Sequence, residues 1–393
     1  IKMPSENINS DNRFDETIQP IDPELVPHVT LASGQKMPLA AFGTFHSDWA
    51  QDYIYQATLE AIRIGWRHID TARAYENEAI VGKAIQDAIK KGYINSTDEL
   101  FITGKLWNGH MKKEDVVPAF EHTLEALGIE RINLYLNHWP WPNVHTPGCS
   151  GDHKNPNAVP YIHEEFMETW RELIKLKKEK KIIDIGTSNH TKGIMQLLLR
   201  DCAADERPAV NQMEMHPLFQ QTELRRYFEA ERIMTMGYMA IGSPYRPARD
   251  TFREHRSDLA DPTIVSIANE AGVSPATVCL SWAIQREGKR GGFVAMSTHS
   301  KHIKENLACT TRDVLTQNQI KRISGEGTLE NPGIDANNRL IWGQVFLWPE
   351  TDDDWRVLWN DTQIFETRKN YITFQKAWHE FIAIKQATTF QPK

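Results

Sequence analysis

Several short apolar runs in this chain close on polar residues of different kinds: Asp70, Lys105, His138, Ser188-Asn189, Gln212, Ser243 and Ser297. If the runs are strands of one barrel, their ends meet at a single rim, which is where barrel enzymes keep their reacting groups. A carboxylate, an amine, an imidazole, amides and hydroxyls then converge on one mouth. Taken singly, each has a plainer reading: Asp70 as a helix cap, Lys105 as a surface lysine, His138 as a satisfied core histidine. Their joint placement at successive run ends is what argues for chemistry. Glycoside hydrolysis would need two carboxylates about 5–10 Å apart. Asp70 has Glu214 as its only obvious rim partner, and Glu214 sits within NQMEMHP beside Gln212, so that chemistry is poorly supported.

The elements that must position these groups are eight β-like runs: AAFG (40–43), WRHID (66–70), ELFITGKL (99–106), INLYLNH (132–138), IIDIGTS (182–188), AVNQMEM (209–215), IMTMGYMAIGS (233–243) and GGFVAMS (291–297). Between them lie stretches with apolar residues three and four apart, such as Val116, Phe120, Leu124 and Leu127, or Phe166, Trp170 and Leu173. Those spacings predict helices packing on a sheet. No G-x-G-x-x-G follows any strand, which removes the main support for an open dinucleotide-binding sheet. The expected fold class is α/β, a (β/α)8 TIM barrel over residues 28–340, with HVTLASGQKMPL (28–39) as an N-terminal hairpin plug. Residues 1–27 are polar and aperiodic and read as an extended arm without visible chemistry. Residues 341–393 form a Trp-rich tail, whose face of Tyr371, Phe374, Trp378, Phe381 and Ile382 predicts a terminal helix docked on the barrel or on another subunit.

The chain has 393 residues, a net charge of −7 and no Lys/Arg stripe interleaved with aromatics, which argues against nucleic-acid binding. No apolar run approaches the roughly 20 residues of a membrane span, so no membrane partner is expected. Cys149, Cys202, Cys279 and Cys309 lack metal-ligand spacing, so no metal is expected and reduced thiols are the plain reading. The first residue is Ile1, compatible with a removed leader or a trimmed start. N-x-S/T triplets begin at Asn95, Asn189 and Asn360, of which only Asn95 and Asn360 suit a glycan.

The motifs IDTARAYENE (69–78), ITGKLWN (102–108), LNHWP (136–140), GTSNH (186–190), VNQMEMHP (210–217) and KEN (304–306) together resemble the aldo-keto reductase family, from about His28 to Arg339. The resemblance implies NADPH-dependent reduction of an aldehyde, ketone or sugar-like carbonyl by a tetrad of Tyr75, Lys105, Asp70 and His138, with a cytoplasmic location by family default and secretion the alternative. Tyr75 would donate the proton, Lys105 would stabilise the phenolate, Asp70 would fix Lys105 and His138 would orient the carbonyl. The resemblance also implies cofactor contacts from Thr44, Asp70, Ser188, Asn189, Gln212, Gly242 and Ser243 at the nicotinamide half. Ser297, Glu305 and Asn306 would hold the adenosine half, and Trp107, His110 and Trp139 the substrate. Two departures stand out. The family's seventh strand ends in an aromatic residue that stacks on the nicotinamide; IGSPYRP (241–247) puts Gly242 there, with Tyr245 as a substitute from the loop. The family's Pro-Lys-Ser and later Arg, which reach the 2′-phosphate of NADP, are replaced by Ala295-Met296-Ser297 and His302. Lys301 or Lys304 could compensate, and NADH stays close behind NADPH. The competing reading is a catalytically weak or inactive relative, a structural, storage or binding protein. Self-association through the N- and C-terminal arms is a further expectation.

Overall fold

The computed structural model describes residues 13–45, 53–141, 161–242, 257–286, 291–325, 364–370, 372, 373 and 376. A small antiparallel hairpin, β1 (His28–Thr30) and β2 (Lys36–Pro38), precedes eight strands: β3 (Ala40–Gly43), β4 (His68–Asp70), β5 (Phe101–Leu106), β6 (Ile132–Asn137), β8 (Ile182–Ser188), β9 (Val210–Glu214), β10 (Met234–Tyr238) and β11 (Gly292–Ala295). These close in sequence order into a barrel, and all eight pairings are parallel. The remaining pair is β7 (Tyr161–Ile162) with β12 (Ile364–Phe365), also parallel.

Parallel strands covered by helices are buried on both faces, so they read as near-continuous apolar runs rather than alternating ones. β3, β5 and β9 are buried at every residue. Across the barrel strands, the side chains of Ala41, Phe101, Leu134, Leu136, Val210 and Met236 form a cluster separate from the larger apolar layer under the helices. Closure at this radius needs small residues where strands crowd. A Cβ at Gly186 would lie 2.6 Å from Leu136 Cδ2 and 2.7 Å from the Val210 carbonyl oxygen.

The hairpin does plug the barrel floor. Leu31 and Met37 join the inner cluster, and Ser33 and Gln35 bond to Asp184 at the entry to β8, the latter at 2.7 Å. The turn uses Gly34 at φ +90°.

Outside lie α1 (Ile54–Ile64), α2 (Glu78–Lys90), α3 (Lys113–Leu127), α4 (His163–Lys178), α5 (Lys192–Arg200), α6 (Thr222–Ala230), α7 (Pro262–Ala271), α8 (Pro275–Gln285), α9 (Ser300–Ala308) and α10 (Gln317–Ile323). The expected stripes face inward: Val116, Phe120 and Leu127 on α3 are buried, as are Phe166, Trp170 and Leu173 on α4. None of the described helices is long and apolar enough to cross a membrane.

The N-terminal segment lies along α1 and α9. Ile21 N–H donates to the Ile64 carbonyl at 2.7 Å, Arg63 donates to the carbonyls of Asp15, Glu16 and Ile18, and Phe14, Ile18 and Ile21 pack on the core. At the other end, Arg368 makes two 2.7 Å bonds to Glu165 on α4. The expected helical face of Tyr371, Phe374, Trp378, Phe381 and Ile382 falls outside the described residues, as do Cys149, Ser243, Tyr245 and Asn360.

Candidate active site at the carboxyl rim of the barrel

β4 and β5 are adjacent and parallel, with Asp70 opposite Thr103, so Asp70 and Lys105 both emerge at the same rim. Lys105 Nζ donates to Asp70 Oδ1 at 2.5 Å, to the Thr71 carbonyl at 3.1 Å and to Tyr75 Oη at 3.2 Å. Tyr75 reaches this point because the chain turns immediately after β4 into a single 3-10 turn, Arg73–Tyr75. His138 follows the last residue of β6, its ring centroid 5.8 Å from that of Tyr75 and nearly perpendicular to it. The four groups expected to act together are therefore brought together, from three successive strands and one turn.

The ammonium is fully buried. Burial alone would push its pKa down, but Asp70 and Tyr75 outweigh that and hold it above the ordinary lysine value. The phenol of Tyr75 is also raised, first by burial of its oxygen and against the pull of Lys105, so it stays protonated at neutral pH. Both oxygens of Asp70 are engaged, Oδ2 accepting from Gln212 Nε2 at 2.7 Å. Below the tetrad, His68 Nδ1 donates to the Pro38 carbonyl and its Nε2 accepts from Thr103 Oγ1, both at 2.8 Å, and burial lowers its pKa to about 4.

Around this centre the rim presents amides and hydroxyls. Ser188 ends β8, and Asn189 follows in the left-handed region at φ +61°. That conformation turns its amide inward: Nδ2 donates to the His138 carbonyl at 3.0 Å and to Ser188 Oγ at 3.1 Å. Asn189 is buried, in keeping with the expectation that its triplet is no glycan site, whereas Asn95 is exposed. Gln212, on β9, keeps its Oε1 without a partner among the described residues. Thr44, after β3, donates from Oγ1 to the Asp70 carbonyl at 3.1 Å.

The structure corrects the expectation at the seventh barrel strand. β10 ends at Tyr238, and the run 233–243 is not one strand. Tyr238 is half-buried at the rim, and its hydroxyl donates to Asn189 Oδ1 at 2.8 Å. An aromatic ring is thus present at the strand end, whereas Gly242 lies four residues beyond it. Gly242 has φ +74°, and a Cβ there would collide with the carboxylate of Asp258. Asp258 belongs to a buried cluster in which His216 stands between Asp258 and Glu214; the two carboxylates overcome burial and raise the imidazole pKa to about 9. The missed signal was length: a strand of the usual five or six residues starting at Met234 ends at Tyr238.

An aromatic wall borders the tetrad. Trp107 lies edge-on to His138 at 5.3 Å, Trp139 stacks on it at 6.3 Å, and Phe45 stands 5.1 Å from Tyr75. His110 is not brought into ring contact with any of these residues among those described; burial, then the charge of Arg73, lowers its pKa. Ser297 follows β11, and its hydroxyl accepts from the His299 N–H at 3.2 Å, while Glu305 and Asn306 lie on α9. Arg13, in the segment expected to carry no chemistry, lies against His299 and Thr298.

A closed parallel barrel with a phenol, an ammonium, a carboxylate and an imidazole at its carboxyl rim is built for moving a proton to or from a small substrate beside an apolar wall. The Aldo/keto reductase family profile matches residues 39–325. An aldo/keto reductase of Synechocystis sp. is 33% identical over 337 residues, spanning 84% of this chain and 95% of its own. Aldo-keto reductase family 1 member A1 of Bos taurus is 36% identical over 280 residues, spanning 71% of this chain and 83% of its own. Among solved structures, an aldose reductase from Schistosoma japonicum superposes with a TM-score of 0.64 at 28% identity, over 76% of this chain and 92% of that one. The chain belongs to the aldo/keto reductase family. Membership places it among oxidoreductases whose general chemistry is carbonyl reduction.

Proposed function

We propose that this protein reduces an aldehyde, ketone or sugar-like carbonyl to an alcohol, with NADPH as the preferred cofactor and NADH as the alternative. One observation carries the reading: Tyr75 Oη, Lys105 Nζ and Asp70 Oδ1 form a continuous hydrogen-bonded line, with links of 3.2 and 2.5 Å, and the Tyr75 ring at its end stands 5.8 Å from that of His138. A bound nicotinamide dinucleotide would supply hydride to the carbonyl carbon. The chain's own residues do the rest. Charge that develops on the carbonyl oxygen is met by the Tyr75 hydroxyl, which gives up its proton as the oxygen becomes basic. Lys105 stabilises the phenolate left behind, and Asp70 keeps the ammonium in place. His138 orients the carbonyl oxygen, and Trp107 and Trp139 exclude water around it.

The donor set fits a nicotinamide. A carboxamide offers one acceptor and two donors, and the free Gln212 Oε1, Ser188 Oγ and the Asn189 amide can meet them at the rim once the Tyr238 hydroxyl yields Asn189 Oδ1. The Tyr238 ring takes the stacking role that a side chain at 242 cannot take, which removes the missing ring as a reason to read the protein as inactive. Keeping a buried Lys–Asp pair also has little value for stability alone.

The test is to follow oxidation of NADPH and NADH with a panel of aldehydes, ketones and sugars, comparing the protein with Tyr75→Phe. Turnover by the first and loss in the second is the expected result. No oxidation of either dinucleotide with any carbonyl, together with no quenching of tryptophan fluorescence on adding them, would overturn the reading.

A further inference from the structure

The N-terminal segment delivers a guanidinium to the carboxyl end of β11, 285 positions away in sequence. Arg13 Nη1 lies 3.4 Å from Thr298 Oγ1 and 3.3 Å from His299 Nε2, and its guanidinium carbon sits 4.8 Å from the centre of the Tyr53 ring. His299 and His302 are themselves neighbours, with ring centroids 5.4 Å apart. Two backbone contacts fix the position: Ser300 N–H donates to the Arg13 carbonyl at 2.7 Å, and Asp15 N–H donates to Ser300 Oγ at 2.9 Å. Ser300 Oγ is anchored in turn on Glu60 at 2.5 Å.

No carboxylate among the described residues comes within ion-pair distance of Arg13, His299 or His302. Burial lowers the pKa of His299, and the neighbouring Arg13 and His302 add to that in smaller measure. A guanidinium has five donors in a planar fork, and the two contacts Arg13 makes here are long. A cation held in place by backbone bonds and a ring face, with unused donors and no acid beside it among the described residues, is suited to recognition of a phosphate.

We propose that Arg13, with His299 and His302, binds a phosphate monoester on the adenosine half of the dinucleotide, the 2′-phosphate of NADPH, and so makes the N-terminal arm the element that selects the cofactor. The proposal rests on the reductase reading for its ligand. It accounts for the absence of a lysine at Met296 and an arginine at His302: the lost charge is supplied from outside the barrel sequence.

The test uses the full chain. Adenosine 2′,5′-bisphosphate and adenosine 5′-monophosphate are titrated by calorimetry, and NADPH and NADH by tryptophan fluorescence, against the protein, Arg13→Ala and Arg13→Lys. Expected are a preference for the 2′-phosphorylated member of each pair, a loss of about 10- to 100-fold for that member alone in Arg13→Ala, and partial recovery in Arg13→Lys. A protein with no preference for the 2′-phosphorylated ligands overturns the proposal. So does an Arg13→Ala variant that weakens both members equally or neither, the equal loss marking an arm that only packs. Arg13-dependent binding of the bisphosphate without reduction of any carbonyl would leave this site standing and remove the reductase reading.

Discussion

The two ends of the proposed cofactor path are built in opposite ways. At the tetrad end, the groups issue from β4, β5, β6, β8 and β9, they are mostly buried, and their bonds run from 2.5 to 3.2 Å. At the β11 end, Arg13, His299 and His302 retain exposure, their mutual contacts are 3.3 Å and longer, and one of them comes from a segment that precedes the barrel. A buried polar network must be fully satisfied to be tolerated, so its members are tightly constrained. A half-exposed charge cluster can be assembled from whatever part of the chain reaches it. On the proposed function, the first arrangement would define the chemistry and the second could be exchanged without touching it.

That contrast breaks most visibly at Tyr75. Tyr75→Phe should lower turnover by about 10²–10⁴-fold while leaving the dissociation constants of both dinucleotides unchanged. An equal loss in binding would mean that the phenol positions cofactor rather than donating a proton. Next is stability at the buried pair. Lys105→Ala leaves the buried Asp70 carboxyl with Gln212 as its one side-chain partner among the described residues, and should cost about 3–5 kcal/mol in denaturant unfolding. A Lys105→Met, Asp70→Leu double variant should recover much of that stability with no activity, separating the pair's role in folding from its role in the reaction.

A smaller effect is expected at Tyr238. Tyr238→Ala should weaken NADPH and NADH alike, by about tenfold or more, on the scale of a lost stacking contact. A change confined to NADPH would contradict a role at the nicotinamide. The smallest effects come from pH. With its donor pKa raised above the ordinary phenol value, reductive kcat/KM should stay level through neutrality and fall only above about pH 10. His68 and His190 are both lowered to about 4 by burial. At these two imidazoles the unfolded chain therefore binds more protons than the folded one below about pH 6.5, outweighing the single opposing proton of Glu78, whose pKa burial raises to about 7, and stability should decline from there down to about pH 4. Urea midpoints across that range would show it, and their absence would mean that these imidazoles are not held neutral.

What could be seen beforehand follows the same division. Each barrel strand ends close to a polar residue that the apolar pattern marks, so Asp70, Lys105, His138, Ser188 and Gln212 are visible from run ends alone. Tyr75 needed the family motif, because a 3-10 turn leaves no periodic trace. The seventh strand was misread because Met234–Ser243 is apolar well beyond the point where the backbone leaves the sheet, and so the ring at Tyr238 was overlooked in favour of Gly242. Arg13 was not visible at all. A tertiary contact between a polar aperiodic segment and a helix start 285 residues later has no local signature. The pairing of β12 with β7 was hidden for the same reason.

The glycine at 242 also bears on redesign. Someone wishing to supply an aromatic there, on the strength of an alignment, would drive a side chain into the place held by the carboxylate of Asp258 and split it from His216. Such a graft would disrupt a charged knot in the protein interior while leaving the native ring at Tyr238 where it already stands, so if the proposed cofactor binds here, the productive target for altering its nicotinamide geometry is the hydroxyl of that tyrosine.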